Sequence, residues 1–208
     1  MQALMMDTPL MISSILKHAE RNFPEVEMVS VTVDQPRHRQ NNKVFVSRCR
    51  KLANALESLG AEFGDRIGTL AWNDFRHMEL YYAVSGAGMV CHTINPKLFP
   101  EQVAYIINHA DDKILFVDVL VVPLLEALQE HIKKVDCIVV LTDKAHMPDS
   151  CLENLVCYEE LLEAQTDSYE WPLFDENTAC GMCYTSGTTG DPKGVVYSHR
   201  STVLHALA

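Results

Sequence analysis

The residues YTSGTTGDPKG, from Tyr184 to Gly194, hold the densest set of chemically useful side chains in the chain. A phosphate held in a loop needs donors that converge on it. Glycines let backbone N–H groups turn inward because they accept positive φ. Thr and Ser hydroxyls add donors at the same radius, and one lysine supplies the compensating charge. Thr185, Ser186, Gly187, Thr188, Thr189, Gly190 and Lys193 offer all three elements, and Pro192 stiffens the segment. A flexible linker has a similar composition. Linkers, however, rarely leave one buried strand and enter another apolar one, and this stretch joins TACGMCY (Thr178 to Tyr184) to Val195–Tyr197. A Walker A loop ends in Gly-Lys-Ser/Thr, whereas Lys193 stands between Pro192 and Gly194. The stretch therefore reads as a nucleotide-phosphate loop of another kind. Asp191 is expected to face solvent, since a carboxylate beside a phosphate is unfavourable.

The bulk numbers limit what else the chain can do. It has 208 residues, 48% hydrophobic and 22% charged, enough for a sizeable core. The formal charge is −11 and the pI about 5.2. An acidic surface repels nucleic-acid phosphate and anionic lipid, so neither is expected as a partner. Any anion must then be held by a local device. The seven cysteines are odd in number and scattered, which argues against a disulfide framework. Cys180 and Cys183 spell CxxC, but no second pair follows and both read as residues of a buried strand. The nine histidines show no HxxxH or HExxH spacing, so a metal cluster has no support. The N-terminus lacks the pattern of a signal peptide, and no run of 18 apolar residues exists. The expectation is a cytoplasmic protein without a transmembrane segment.

The elements that must position the loop follow from periodicity. Thr8 and Pro9 suggest a helix start, with Ile12, Ile15, Leu16 and Ala19 on one face. Met28 to Val33 alternates like a strand, and Asp34 to Asn42 reads as a polar loop. Val46, Cys49, Leu52, Ala53, Leu56 and Leu59 form a second helical stripe that Gly60 can end. Strand-like runs then alternate with helical ones: Arg66–Ala71, Phe75–Ser85, Met89–Ile94, a helix opened by Pro100, Lys113–Val117, Pro123–His131 and Cys137–Leu141. A loop spans Asp143–Leu152, a short helix Tyr158–Ala164, and an acidic bridge Gln165–Asn177. The alternation predicts an α/β fold: a mostly parallel sheet with helices on both faces. The loop leaves the C-terminal end of its strand, where open α/β sheets bind ligands. His92 and Asn95 read as turn caps, and Trp72 and Tyr81 as core. For His199 and Arg200, a structural role at the loop's exit, a subunit contact and a ligand contact all stay open.

The loop resembles the phosphate-binding signature of the adenylate-forming (AMP-binding) superfamily, Y-[TS]-[ST]-G-T-T-G-x-P-K-G. VVYSHRSTVLHALA after it resembles the same family. LANALESLGAEFGDRIGTLAWN (Leu52 to Asn73) and HTINPKLFPEQVAYIINHADDKILFVD (His92 to Asp118) are similar to its medium- and long-chain fatty acyl-CoA synthetase branch. HRQNNKVFVSR departs by lacking a threonine-aromatic pair usual there. The resemblance implies ATP-dependent adenylation of a fatty acid, then thioester formation with coenzyme A. It implies Thr185 as a Mg²⁺ ligand together with a glutamate beyond residue 208, and Ser186, Gly187, Thr188, Thr189 and Gly190 around the β- and γ-phosphates. Lys193 would brace or neutralise the loop. Members are roughly two and a half times longer. Residues 1–208 are thus expected to be the N-terminal portion of the large domain, with the catalytic residues and the small C-terminal domain absent and this chain alone inactive. A homodimer rests on the resemblance alone. Two alternatives are another adenylating ligase (an aryl-CoA ligase or a carrier-protein-loading domain) and a truncated, non-catalytic nucleotide-binding module.

Overall fold

The computed structural model describes residues 5–132, 135–185 and 190–208. In chain order its elements are α1 (Ile12–Asn22), β1 (Glu27–Ser30), β2 (His38–Asn41), α2 (Asn42–Ser58), β3 (Arg66–Leu70), α3 (Phe75–Gly86), β4 (Val90–Thr93) and α4 (Pro100–Ala110). There follow β5 (Asp112–Val117), α5 (Val122–Leu128), β6 (Cys137–Val140), β7 (Leu155–Cys157), α6 (Tyr158–Glu163), β8 (Ala179–Thr185), β9 (Lys193–Ser198) and α7 (His199–Leu207). Seven strands form one sheet in the order β7-β6-β5-β3-β4-β8-β9. All neighbours are parallel except β9, which pairs antiparallel with β8 at the edge. The expected α/β fold is therefore observed.

Alternation along the strands fills both faces, as a doubly covered parallel sheet requires. Ile67 of β3, Ile114 and Phe116 of β5 and Val139 of β6 join a core with Leu52 and Leu56 of α2, Leu80 and Val84 of α3, and Leu162 of α6. Leu70, Leu115, Val117 and Val140 join the opposite core with Val103, Ile106 and Ile107 of α4 and Leu125 of α5. The strand order reverses between β5 and β3, the arrangement that opens a crevice at the C-terminal edge of such sheets.

Local signals set the helix ends. Asn41 caps α2 by accepting from the Val44 N–H at 3.0 Å, and Asp74 caps α3 by accepting from that of His77. Past α2, the N–H of Ala61 reaches the Leu56 carbonyl and that of Gly60 reaches Glu57, with Gly60 at φ 78°. That left-handed exit is why a glycine stands there.

Two expectations need correction, and one strand was not foreseen. The first helix starts at Ile12 and not at Thr8. The Leu10 N–H that such a cap would serve donates instead to Glu176, and the first N–H of the observed helix, that of Ile12, donates to Nδ1 of His199. The stretch 34–42 is not all loop, because β2 pairs antiparallel with β1 as a separate ribbon. Two of its polar side chains turn inward to charged partners, Gln40 toward Glu79 and Asp34 onto Arg76, while Arg39 stays at the surface. The strand β7, three residues long, was too short to show a period.

Candidate functional site

The loop stretch is the connection of a hairpin. β8 runs parallel to β4 and ends at the C-terminal edge of the sheet, and β9 returns beside it. Thr185 and Lys193 are paired across the hairpin, so the chain brings together the two sequence candidates that flank the motif. Both are exposed. The Thr185 hydroxyl makes only a long contact, 3.5 Å to the Lys193 carbonyl, and the Lys193 ammonium has no partner among the described residues. Gly190 sits at φ 94° with nothing within 4 Å of where a Cβ would be, so its conformation and not its surroundings calls for glycine. Ser186, Gly187, Thr188 and Thr189 lie outside the described residues. Asp191 is exposed, as expected.

This hairpin differs physically from a loop that runs into a helix. In such loops the positive end of the helix helps hold the anion. Here a strand follows, and α7 starts only after it, at the opposite end of β9. Stabilisation of an anion must then come from N–H groups, hydroxyls and the one lysine. As for a divalent cation, Thr185 offers one neutral oxygen at the strand end. That is too little for Mg²⁺ alone and fits a site completed by phosphate oxygens, water and carboxylate.

A buried polar cluster lies under the hairpin. His92 of β4 is fully buried and does not cap a turn, contrary to the sequence reading. Its Nδ1 stands 2.8 Å from both carboxylate oxygens of Asp112 on β5. A carboxylate accepts only, so Nδ1 carries the proton. Burial pushes the Asp112 carboxyl up, against the opposing pull of His92. The imidazole lies 5.2 Å from the ring of Tyr184, the residue before Thr185. The Tyr184 hydroxyl is 2.6 Å from Nδ1 of His109 on α4. Asn95 does cap its turn, accepting from the Lys97 N–H.

Other candidates resolve into structural roles. His199 is fully buried, and its Nδ1 accepts from the Ile12 N–H, tying α1 to the start of α7. Burial pushes its pKa down to about 4. Arg200 pairs with Glu176. Trp72 and Tyr81 are not core: they are 42% and 45% exposed. Trp72 lies past the end of β3 with the Lys97 ammonium 5.6 Å from its ring, and Tyr81 lines a cavity of about 420 Å³ between α3, α7 and β8. Cys180 is buried and Cys183 half-buried, both on β8 and both free thiols. Asp34, Asp143 and His146 approach one another closely enough to suggest a metal. Arg76 and Thr142 already donate to Asp34, however, and the guanidinium charge opposes a cation.

The chain matches the family described as AMP-binding enzyme over residues 16–208. It is 51% identical to the 3-methylmercaptopropionyl-CoA ligase of Ruegeria lacuscaerulensis, over 98% of this chain and 38% of the relative. It is 47% identical to the medium-chain-fatty-acid–CoA ligase of Ectopseudomonas oleovorans, over 98% and 37%. Among solved structures it is similar to the anthranilate CoA ligase AuaEII in complex with anthranoyl-AMP, with a TM-score of 0.78 and 25% identity. That match covers 93% of this chain and 36% of the other. The chain thus spans well under half the length of the proteins it matches. With the glycine-rich hairpin at the sheet's C-terminal edge and a family match over nearly its whole length, this chain belongs to the AMP-binding enzymes.

Proposed function

We propose that this chain is the N-terminal, phosphate-holding portion of an ATP-dependent acyl-CoA ligase acting on aliphatic carboxylic acids. The observation that carries the reading is the hairpin, which pairs across its mouth a lysine with no partner among the described residues and an exposed threonine whose hydroxyl makes only a long contact to the lysine carbonyl. The chemistry needs such a device. A carboxylate lacks a leaving group, so it is first activated. One carboxylate oxygen bonds to the α-phosphorus of ATP, the bond to pyrophosphate breaks, and an acyl-adenylate results. The thiol of coenzyme A then bonds to the acyl carbon, its proton is lost, and AMP leaves. In the first step negative charge shifts onto the departing pyrophosphate. Lys193 and the donors of Ser186 to Gly190 would hold those oxygens in place, which is positioning and charge stabilisation more than covalent catalysis. Thr185 would supply a hydroxyl ligand to Mg²⁺, which screens the phosphate charge when bound.

An aliphatic acid is favoured over an aryl acid by degree of likeness. The relatives named for methylmercaptopropionate and for medium- and long-chain fatty acids are 45–51% identical. The trans-cinnamate ligase is 36% identical and the anthranilate ligase 25%. The reading is tested on the full-length gene product by measuring AMP release that depends on CoA, with alkanoic acids of increasing length, 3-methylmercaptopropionate, and cinnamate or benzoate. Turnover restricted to aryl acids, or adenylation without transfer to CoA, would overturn it. The 208 residues alone are expected to be inactive in the same assay.

A further inference from the structure

Tyr184 is half-buried on β8, one residue before the strand ends at Thr185, and three elements converge on it. Its hydroxyl is 2.6 Å from Nδ1 of His109 on α4. Its ring lies 5.2 Å from that of His92 on β4, which is itself locked by two 2.8 Å contacts to Asp112 on β5. Its strand partner is Gly194, where a Cβ would come within 3.2 Å of the tyrosine ring. A second strand glycine makes room at the other end: a Cβ on Gly68 would come within 2.5 Å of Leu115 and 2.9 Å of the Asp112 carboxylate. Glycine within a strand weakens it and commonly marks a close approach. Here two such glycines admit one chain of contacts, Asp112–His92–Tyr184–His109.

The chain of contacts is more than core packing. Packing alone could be met by apolar side chains, without placing a carboxylate and an imidazole where both are fully buried. His92 Nε2, moreover, has no hydrogen-bond partner among the described residues. The imidazole is thus fixed from Asp112 and spends its other edge beside the tyrosine. The tyrosine is held at two points, ring and hydroxyl, by elements that do not themselves enter the motif. The next residue in the chain is Thr185, opposite Lys193.

We infer that Tyr184 is a positioning residue for the nucleotide-phosphate hairpin. Clamped by His109 at its hydroxyl and by the Asp112–His92 pair at its ring, it fixes where Thr185 and Lys193 stand relative to the sheet edge. The inference rests on the ATP-dependent ligase reading above. The clamp acts on the phosphate end of the nucleotide and leaves the carboxylate substrate alone.

The test uses the full-length protein and Tyr184→Phe, His109→Ala, the double variant and Tyr184→Leu, assayed by ATP–pyrophosphate exchange. Tyr184→Phe removes the hydrogen bond alone, and His109→Ala removes it together with the imidazole's edge contact on the tyrosine ring. Each is expected to lower kcat/KM for ATP about 3- to 10-fold, with the double variant no lower than His109→Ala alone. Tyr184→Leu also removes the ring and is expected to lose up to about 100-fold, as misplacement of a binding group does. KM for the carboxylic acid should stay within about twofold in all four. Hydrogen exchange of the β8 and β9 backbone should quicken in Tyr184→Leu and stay unchanged in Tyr184→Phe. Additive losses in the double variant, or equal shifts in KM for ATP and for the acid, would overturn the clamp. If the parent protein shows no exchange with ATP at all, the ligase reading fails. The hydrogen-exchange comparison then judges the clamp by itself, and unchanged β8 and β9 protection in Tyr184→Leu would remove it.

Discussion

Two charged regions of this molecule are built on opposite plans. Between α2, α3, α6 and the segment after β1, Arg48 pairs with Glu79 at 2.7 Å and with Glu159 at 2.8 Å. Arg76 pairs with Glu159 at 2.8 Å and with Asp34 at 3.0 Å, and Tyr158 donates to Glu79 at 2.6 Å. Both arginines are thus shared between two carboxylates, and Arg76 and Glu79 are almost or wholly without solvent. The β8–β9 hairpin shows the reverse: an exposed lysine and an exposed threonine that take almost nothing from the rest of the fold. The first region is closed on itself and fixes the packing of three helices. The second is left open, and its groups contribute to folding only weakly. Charge that is fully satisfied inside the protein belongs to the scaffold, whereas charge held out at a strand end is available to a ligand.

The sharpest way to break the comparison is to open the closed region. Glu79→Ala leaves Arg48 without its buried partner and Tyr158 without an acceptor. Loss of one member of a buried pair typically costs about 3–5 kcal/mol, so urea or thermal unfolding should show a severely destabilised or unfolded protein. A loss under about 1 kcal/mol would mean that water replaces the carboxylate readily and that the region is not closed. Gly68→Ala should follow in size. Its added methyl would press on Leu115 and the Asp112 carboxylate, and overpacking of this kind costs about 1–3 kcal/mol. Full stability in Gly68→Ala would mean that β3 and β5 can part without disturbing the Asp112–His92 pair.

The difference between the regions also explains what the sequence revealed. The sheet and its helices were legible because Ile114, Leu115, Phe116 and Val117 must be buried on both faces, and the stripe from Val46 to Leu59 has helical period. The motif was legible because glycines, hydroxyls and a lysine crowd into one stretch. The charge network was not. Asp34, Arg48, Arg76, Glu79 and Glu159 are spread over more than a hundred positions, and each alone looks like an ordinary surface residue. Their burial depends on tertiary packing, which no local period reports. The same holds for His92, whose partner Asp112 is 20 residues away on another strand, and for Trp72, read as core yet left outside the sheet's end.

Acid probes the scaffold at a third place, outside both regions. His199, at the start of α7, has its pKa pushed down to about 4 by burial, from an ordinary value of 6.5. The unfolded chain therefore binds a proton at higher pH than the folded one. The stability this residue contributes is complete above pH 6.5 and is lost as the pH falls toward 4. Protonation would also remove the lone pair that accepts from Ile12. His199→Gln retains an acceptor and does not titrate. Between pH 7 and 4.5 it should lose about 1–2 kcal/mol less than the parent, read from urea midpoints at each pH. Parallel curves for the two proteins would show that His199 protonates without cost in the folded state.

The smallest expected effect on folding belongs to Lys193→Ala, and it bears most directly on what the open region is for. The ammonium is exposed and has no partner among the described residues, so its removal should change stability by less than about 0.5 kcal/mol. In the full-length protein the same change removes the cation paired across the hairpin from Thr185. Charge-assisted contacts contribute roughly 1.5–3 kcal/mol, and ATP–pyrophosphate exchange should fall on the order of 10- to 150-fold. Thr188→Ala or Thr189→Ala should fall by no more than this, since each removes a neutral donor. Pyrophosphate departs in the first step, so thioester formation from pre-formed acyl-adenylate and coenzyme A should stay near the parent rate in all three. A loss of both half-reactions together would show that the hairpin shapes the whole domain and is not a separate cradle. A loss of stability comparable to that of Glu79→Ala would show that Lys193 is part of the scaffold, and the contrast between the closed and the open region would disappear.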